Sequence, residues 1–107
     1  MTTFDDREKA AEGKFAHDEQ AHFKALARRD KLVGLWAAEH LGLKGKDAEA
    51  YAKSIILADL EEPGDEDVVR KLVADFAAKK LAVTENDIRN QLAEKLVIAT
   101  GQIQAEA

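Results

Sequence analysis

The chain has no cysteine and a single proline, and only 6% of its 107 residues are aromatic. Without cysteine there are no disulfides, thiolate zinc sites or cysteine nucleophiles. One proline leaves long stretches free to be helical. There is no basic excess either: 16 Lys and Arg stand against 21 Asp and Glu, a net charge of −5. That balance argues against a nucleic-acid binder, which needs clustered cations for phosphate contacts. No apolar run approaches the ~20 residues of a membrane span. The start, MTTFDDREKAAEGKF, lacks the basic-then-apolar order of a secretory signal. What is present is a charged fraction of 35% and a hydrophobic fraction of 46%, the latter swollen by alanine. This suits one small helical domain, expected to be soluble and intracellular.

Four helical segments are predicted. The first opens at Thr3, where Thr3-Phe4-Asp5-Asp6 resembles a capping box, and runs to about His40 with Gly13 as its weak point. Leu41-Gly42 ends it. Its apolar stripe is thin from Phe4 to Phe23, then thickens at Leu26, Leu32, Val33, Leu35 and Trp36, so the second half reads as core and the first as an arm. A second helix is expected from Asp47, as cap, to about Leu60, with Ala48, Tyr51, Ala52, Ile55 and Ile56 inward. Glu62-Pro63-Gly64 breaks it. The third starts at Asp65, whose carboxylate can cap, and carries Val69, Leu72, Val73 and Phe76 inward; Lys79 and Lys80 suit its negative end. The fourth opens on a capping box, Thr84-Glu85-Asn86-Asp87, with Val83 and Ile88 as a staple. Ile88, Leu92, Leu96, Ala99 and Ile103 mark its inner face, and Gly101 predicts fraying beyond. The expected fold is all-α: a small four-helix bundle (26–107) with an extended, partly flexible N-terminal helical arm (1–25).

Catalytic chemistry is thin. His17 and His22 are five residues apart, about 500° around a helix, so they do not pair as metal ligands. The acidic run Glu61, Glu62, Asp65, Glu66, Asp67 lacks the spacing of a calcium loop and is better read as helix capping. Gly42-Leu43-Lys44-Gly45-Lys46 is too short for a phosphate loop. Arg28, Arg29 and Lys31 form the densest basic patch and read as a solvated rim, with a phosphate site as the alternative. Trp36 reads as core. No nucleophile has an adjacent base, so no catalytic residue, metal or obligate cofactor is expected.

The arm is the unusual feature. Phe4 and Phe15 are eleven residues apart, about three turns, so both project from nearly one side. Around them stand Asp5, Asp6, Arg7, Glu8, Lys9, Glu12 and Lys14. A stripe this narrow suits a groove on another protein, ordering on binding; a solvated extension with no partner is the alternative.

TTFDDREKAAEGKFAHD, ARRDKLVGLWAAEHLGL, AEAYAK and EEPGDEDVVRKLVAD resemble the zeta subunit of alpha-proteobacterial F-type ATP synthases, over essentially the whole chain. The resemblance implies a non-enzymatic inhibitor of ATP hydrolysis. Its arm enters an alpha/beta catalytic interface and reaches the gamma subunit, the central stalk. It further implies a cytoplasmic protein held at the inner membrane only through the synthase, with no nucleic acid and no membrane insertion. Carried over here, the partner-binding residues are Thr3, Phe4, Asp5, Asp6, Arg7, Glu8, Lys14, Phe15 and His17. Gly13 departs from the helix former expected there and weakens the case for inhibition. Imidazole is the side chain whose charge changes near neutral pH, so His17 and His22 offer a pH response. Two other readings stay open: an adenine-nucleotide sensor using Arg28, Arg29 and Lys31, and an adaptor that has lost inhibition.

Overall fold

The computed structural model describes the backbone of residues 3–61 and 64–106 and the side chains of 19–61 and 64–106. It contains four helices: α1 Thr3–His40, α2 Gly45–Glu61, α3 Glu66–Ala78 and α4 Glu85–Glu106, with no strand among the described residues. The all-α bundle expected from the sequence is the fold.

Helix ends follow local chemistry. At the end of α1, Gly42 adopts φ +79°, Leu43 N–H donates to Ala38 O at 2.8 Å, and Gly42 N–H donates to Glu39 O at 3.2 Å. This is a Schellman stop on a residue without Cβ strain. Helix α3 ends the same way around Lys80, at φ +56°, with Leu81 N–H donating to Phe76 O; here a side-chain-bearing residue takes the left-handed position at a cost of about 1 kcal/mol. The Thr84 box forms in full. Asp87 N–H donates to Thr84 Oγ1 and Thr84 N–H to an Asp87 carboxylate oxygen, each at 3.0 Å. Those bonds hold the Asp87 carboxyl below its ordinary range, the backbone amide of Thr84 first and its side chain second. Thr84→Ala should cost about 1 kcal/mol, read as a lower thermal midpoint at pH 7. Because Asp87 is held low, the reciprocal bond contributes above its unfolded pKa and fades as pH falls through the folded value.

Three expectations are corrected. Asp47 lies within the first turn of α2 rather than at its cap, because α2 opens earlier, at Gly45. Asp65 does occupy the cap position of α3 but makes no side-chain capping bond; its carboxylate is taken by Arg29. Helix α4 does not fray at Gly101 but continues to Glu106, where Arg28 meets its last turn.

Helix α1 is central. It runs antiparallel to α2, since Gly34 meets Ala52 and Ile55 while Arg29 reaches Asp59. It also runs antiparallel to α4, since Arg28 reaches Gln102 and Glu106 in the last turns of α4 while Val33 and Ala37, later in α1, share the core with Ile88 and Leu92 in its first turns. The main core joins Val33 and Ala37 of α1, Ile55 of α2, Val68, Val69, Leu72 and Phe76 of α3, and Ile88 and Leu92 of α4. Each large side chain buried there contributes roughly 1.5–3 kcal/mol. Ala25, Ala99 and Ile103 are buried as well. A helix flanked on several sides must be narrow, and α1 buries Ala25, Val33, Ala37 and Ala38 rather than its leucines. Leu32, Leu35 and Trp36, expected inside, are only half-buried. Trp36 nonetheless packs against the core, edge-on to His40 and Phe76 at 5.0 and 5.7 Å between ring centres. In α3, Val68 takes the buried place expected of Val73, which is exposed.

Candidate functional site

The expected arm lies on α1. The backbone is helical from Thr3 without interruption into the core segment. The side chains of Thr3, Phe4, Asp5, Asp6, Arg7, Glu8, Lys14, Phe15 and His17 lie outside the described residues. Among the described residues, the contacts of α1 nearest its start are these. Ala21, His22 and Ala25 line a cleft with Thr100, Ile103 and Gln104 of α4, and α4 ends three residues after Ile103, at Glu106. Helix α2 ends at Glu61, just past Asp59 and Leu60, which share a groove with Phe23. Residues 3–20 precede these contacts in the chain, and at 1.5 Å per residue a helix of that length is about 27 Å long.

What fixes the root of that helix is a set of charges between α1, α2 and α3. Arg29 is 3% exposed and Asp30 1%. Arg29 Nη2 lies 2.9 Å from Asp30 Oδ1 and 2.9 Å from Asp65 Oδ1, and 3.6 Å from Asp59 Oδ2; its Nε also donates to Asp30 Oδ1 at 3.1 Å. A guanidinium is suited to this because its planar fork addresses several carboxylates at once. Burial pulls the Arg29 pKa down, but the bonds to Asp65 and Asp30 outweigh it and hold it above its ordinary value. Burial first, then a bond shared with Asp59, pushes the Asp30 carboxyl up to about 8 against the pull of Arg29. A second polar tie joins α2 to α3: Tyr51 Oη donates to Asp75 at 2.7 Å, and Lys71 bonds the same carboxylate at 3.1 Å. Burial, then Asp75, raises the Tyr51 pKa.

The basic residues expected to share one rim do not. Arg29 is buried and bonded to carboxylates, which overturns the solvated-rim reading for it. Arg28 Nη1 donates to Gln102 Oε1 at 2.9 Å, and its Nη2 lies 2.9 Å from Glu106. Lys31 is exposed. Arg28 and Lys31 border one open groove with Lys24 and Phe23, and Arg29 is not part of it. His22 is exposed on α1; His17 falls outside the described side chains.

The sequence reading missed the inward turn of Arg29. A signal was present: Arg29 stands four residues after Ala25 and four before Val33, on the stripe that α1 buries. It also missed Gly34 and Asp59. Among the described residues no group of three His, Cys, Asp or Glu side chains is placed to hold a metal ion, and no helix is long and apolar enough to cross a membrane.

Residues 1–102 match the family described as ATPase inhibitor subunit zeta. A solved solution NMR structure is 44% identical, with a TM-score of 0.69, over 79% of this chain and 96% of its own. No curated protein matches.

Proposed function

The chain belongs to the ATPase inhibitor subunit zeta family, and we propose that it inhibits ATP hydrolysis by lodging the first part of α1 at an alpha/beta catalytic interface of the F-type ATP synthase. Family membership makes it a regulatory protein whose partner is the synthase. The finer reading is supported by one observation above the rest: among the described residues α1 meets α4 from Ala21 and α2 from Phe23 onward, near the last turns of both helices, and its backbone is helical before that point. Residues 1–25 serve as the arm, with Phe4 and Phe15 as apolar anchors and Thr3, Asp5, Asp6, Arg7, Glu8, Lys14 and His17 fixing its register. Residues 26–107 hold it at the catalytic head. Rotation in the hydrolytic direction closes the interface onto the arm and toward the gamma subunit, while rotation in the synthetic direction expels it. Inhibition is then largely one-way.

The energy required is modest, since a micromolar to nanomolar complex releases roughly 8–12 kcal/mol, net of the ordering cost of the arm. Nucleotide sensing is less favoured, because Arg29 is committed to carboxylates and Arg28 to α4. The test adds the full chain, and a version lacking residues 1–15, to the matching synthase and follows hydrolysis and synthesis separately. The full chain should suppress hydrolysis and spare synthesis, and the shortened one should inhibit at least about tenfold more weakly, a loss of 1.4 kcal/mol or more. Equal inhibition by both would remove the arm from the mechanism. Gly13→Ala should tighten inhibition about fivefold, the ~1 kcal/mol by which alanine outranks glycine in a helix.

A further inference from the structure

A groove of about 330 Å³ runs between α1 and α2 toward the start of α3. Its walls are Phe23, Leu26, Ile56 and Leu60. Phe23 is 61% exposed and Leu60 59%, and the two stand together in this one groove. Asp30, Asp59 and Asp65 line the same groove, and among the described residues Arg29 is the cation paired with all three. One guanidinium therefore serves three carboxyl groups; with Asp30 holding a proton near neutral pH, Asp59 and Asp65 still leave an excess negative charge, which partly buried surroundings screen poorly. The volume is at the small end for ligand sites and suits side chains rather than a cofactor.

We propose that this groove is a docking surface for a helix of a partner protein that carries a single lysine or arginine within an apolar stripe. The apolar walls take the neighbouring side chains and the aliphatic stem of the cation, and its charged head reaches the carboxylates at the inner end. A bare metal ion does not fit, because apolar walls offer it nothing and the three carboxylates do not converge as ligands. The inference concerns the bundle's own surface and stands whether or not the arm is the inhibitory element.

The groups that face Asp30 are Arg29 on its own helix, Asp59 on α2 and Asp65 at the start of α3. A second cation entering among them favours the ionised form of Asp30 and expels its proton. Binding therefore strengthens as pH rises from 6.5 to 8.5.

The probes are three labelled 16-residue helical peptides with a leucine stripe and a glutamine outer face. They differ at one central stripe position, which is lysine, norleucine or glutamate. The full chain should bind the lysine peptide at least about tenfold more tightly than the norleucine one at pH 8, with the glutamate peptide weakest. Backbone amide shifts should fall on Phe23–Asp30 and Ile56–Leu60. Asp59→Asn should shrink the lysine preference to within about twofold, and Leu60→Ala, a surface change that leaves the core intact, should weaken all three peptides. Equal binding of lysine and norleucine, an undiminished preference in Asp59→Asn, or no shifts at the groove would each overturn the proposal. So would dimers of the full chain that the lysine peptide dissociates, since the groove would then belong to a second copy.

Discussion

Arg29→Ala should destabilise the bundle by about 3–5 kcal/mol, the cost of removing one partner from a buried ion cluster. The native pairing is not itself the source of that figure. Alanine leaves the Asp59 and Asp65 carboxylates without their guanidinium and Asp30, at 1% exposure, without the bonds Arg29 donates to it, and it opens space at the junction of α1, α2 and α3. For a domain of this size 1 kcal/mol moves the thermal midpoint by roughly 4–8 °C, so circular dichroism at 222 nm should show a fall of well over 10 °C. Arg29→Lys should lie between, because an ammonium keeps the charge but cannot fork to Asp30 and Asp65 together. Adding Asp30→Asn and Asp59→Asn to Arg29→Ala should recover part of the loss; simple additivity would mean the carboxylates do not depend on Arg29. The pH dependence has a fixed sign. The Asp30 carboxyl moves from 3.8 to about 8 on folding, so between those values the folded chain holds a proton that the unfolded chain releases. Its contribution is complete below the lower value and is lost as pH rises through the upper one. The midpoint should fall from pH 6 to pH 9 in the native chain and respond less in Asp30→Asn.

That cluster also marks where sequence reading stops. The Thr84 box was legible because donor, acceptor and helix start lie within four residues, and the same holds for the Gly42 stop. The length of α1 was legible because nothing inside it breaks a helix. Arg29 was not, because its partners Asp59 and Asp65 come thirty or more residues later, on elements whose approach depends on the whole packing. Beside Arg28 and Lys31 it looked like one more surface cation. Asp65 was placed correctly at the start of α3, yet its carboxylate serves a tertiary bond instead of the local one that position suggests. Leu32 and Leu35 are half-buried for a related reason: bulk does not mark the buried face of a helix enclosed by others, and α1 turns Ala25, Ala37 and Ala38 inward with Val33. The reading of residues 1–25 as an arm rests on their sparse stripe alone, since the side chains of 1–18 lie outside the described residues.

The close approach of α1 and α2 should make one substitution act with opposite signs at two helical glycines. A Cβ added at Gly34 would lie 2.5 Å from Ala52 Cα, 3.0 Å from Ala52 Cβ and 3.3 Å from Ile55 Cγ1. The nearest of these is backbone, which cannot turn aside as a long side chain can, so the helices must separate. Overpacking of this kind costs roughly 1–3 kcal/mol or more, against a gain of ~1 kcal/mol from replacing glycine inside a helix. Gly34→Ala should therefore lose about 2 kcal/mol in denaturant titration. Separating α1 from α2 also disturbs Arg29 and Asp59, so Gly34→Ala combined with Arg29→Ala should cost less than the two single losses together. At Gly101 an added Cβ meets nothing within 4 Å, and the backbone there is already helical. Gly101→Ala should then stabilise by up to about 1 kcal/mol, partly by restricting the unfolded chain. If both variants gained stability, α1 and α2 would have to be farther apart than the Gly34–Ala52 contact requires, and the narrow face of α1 would have no packing role.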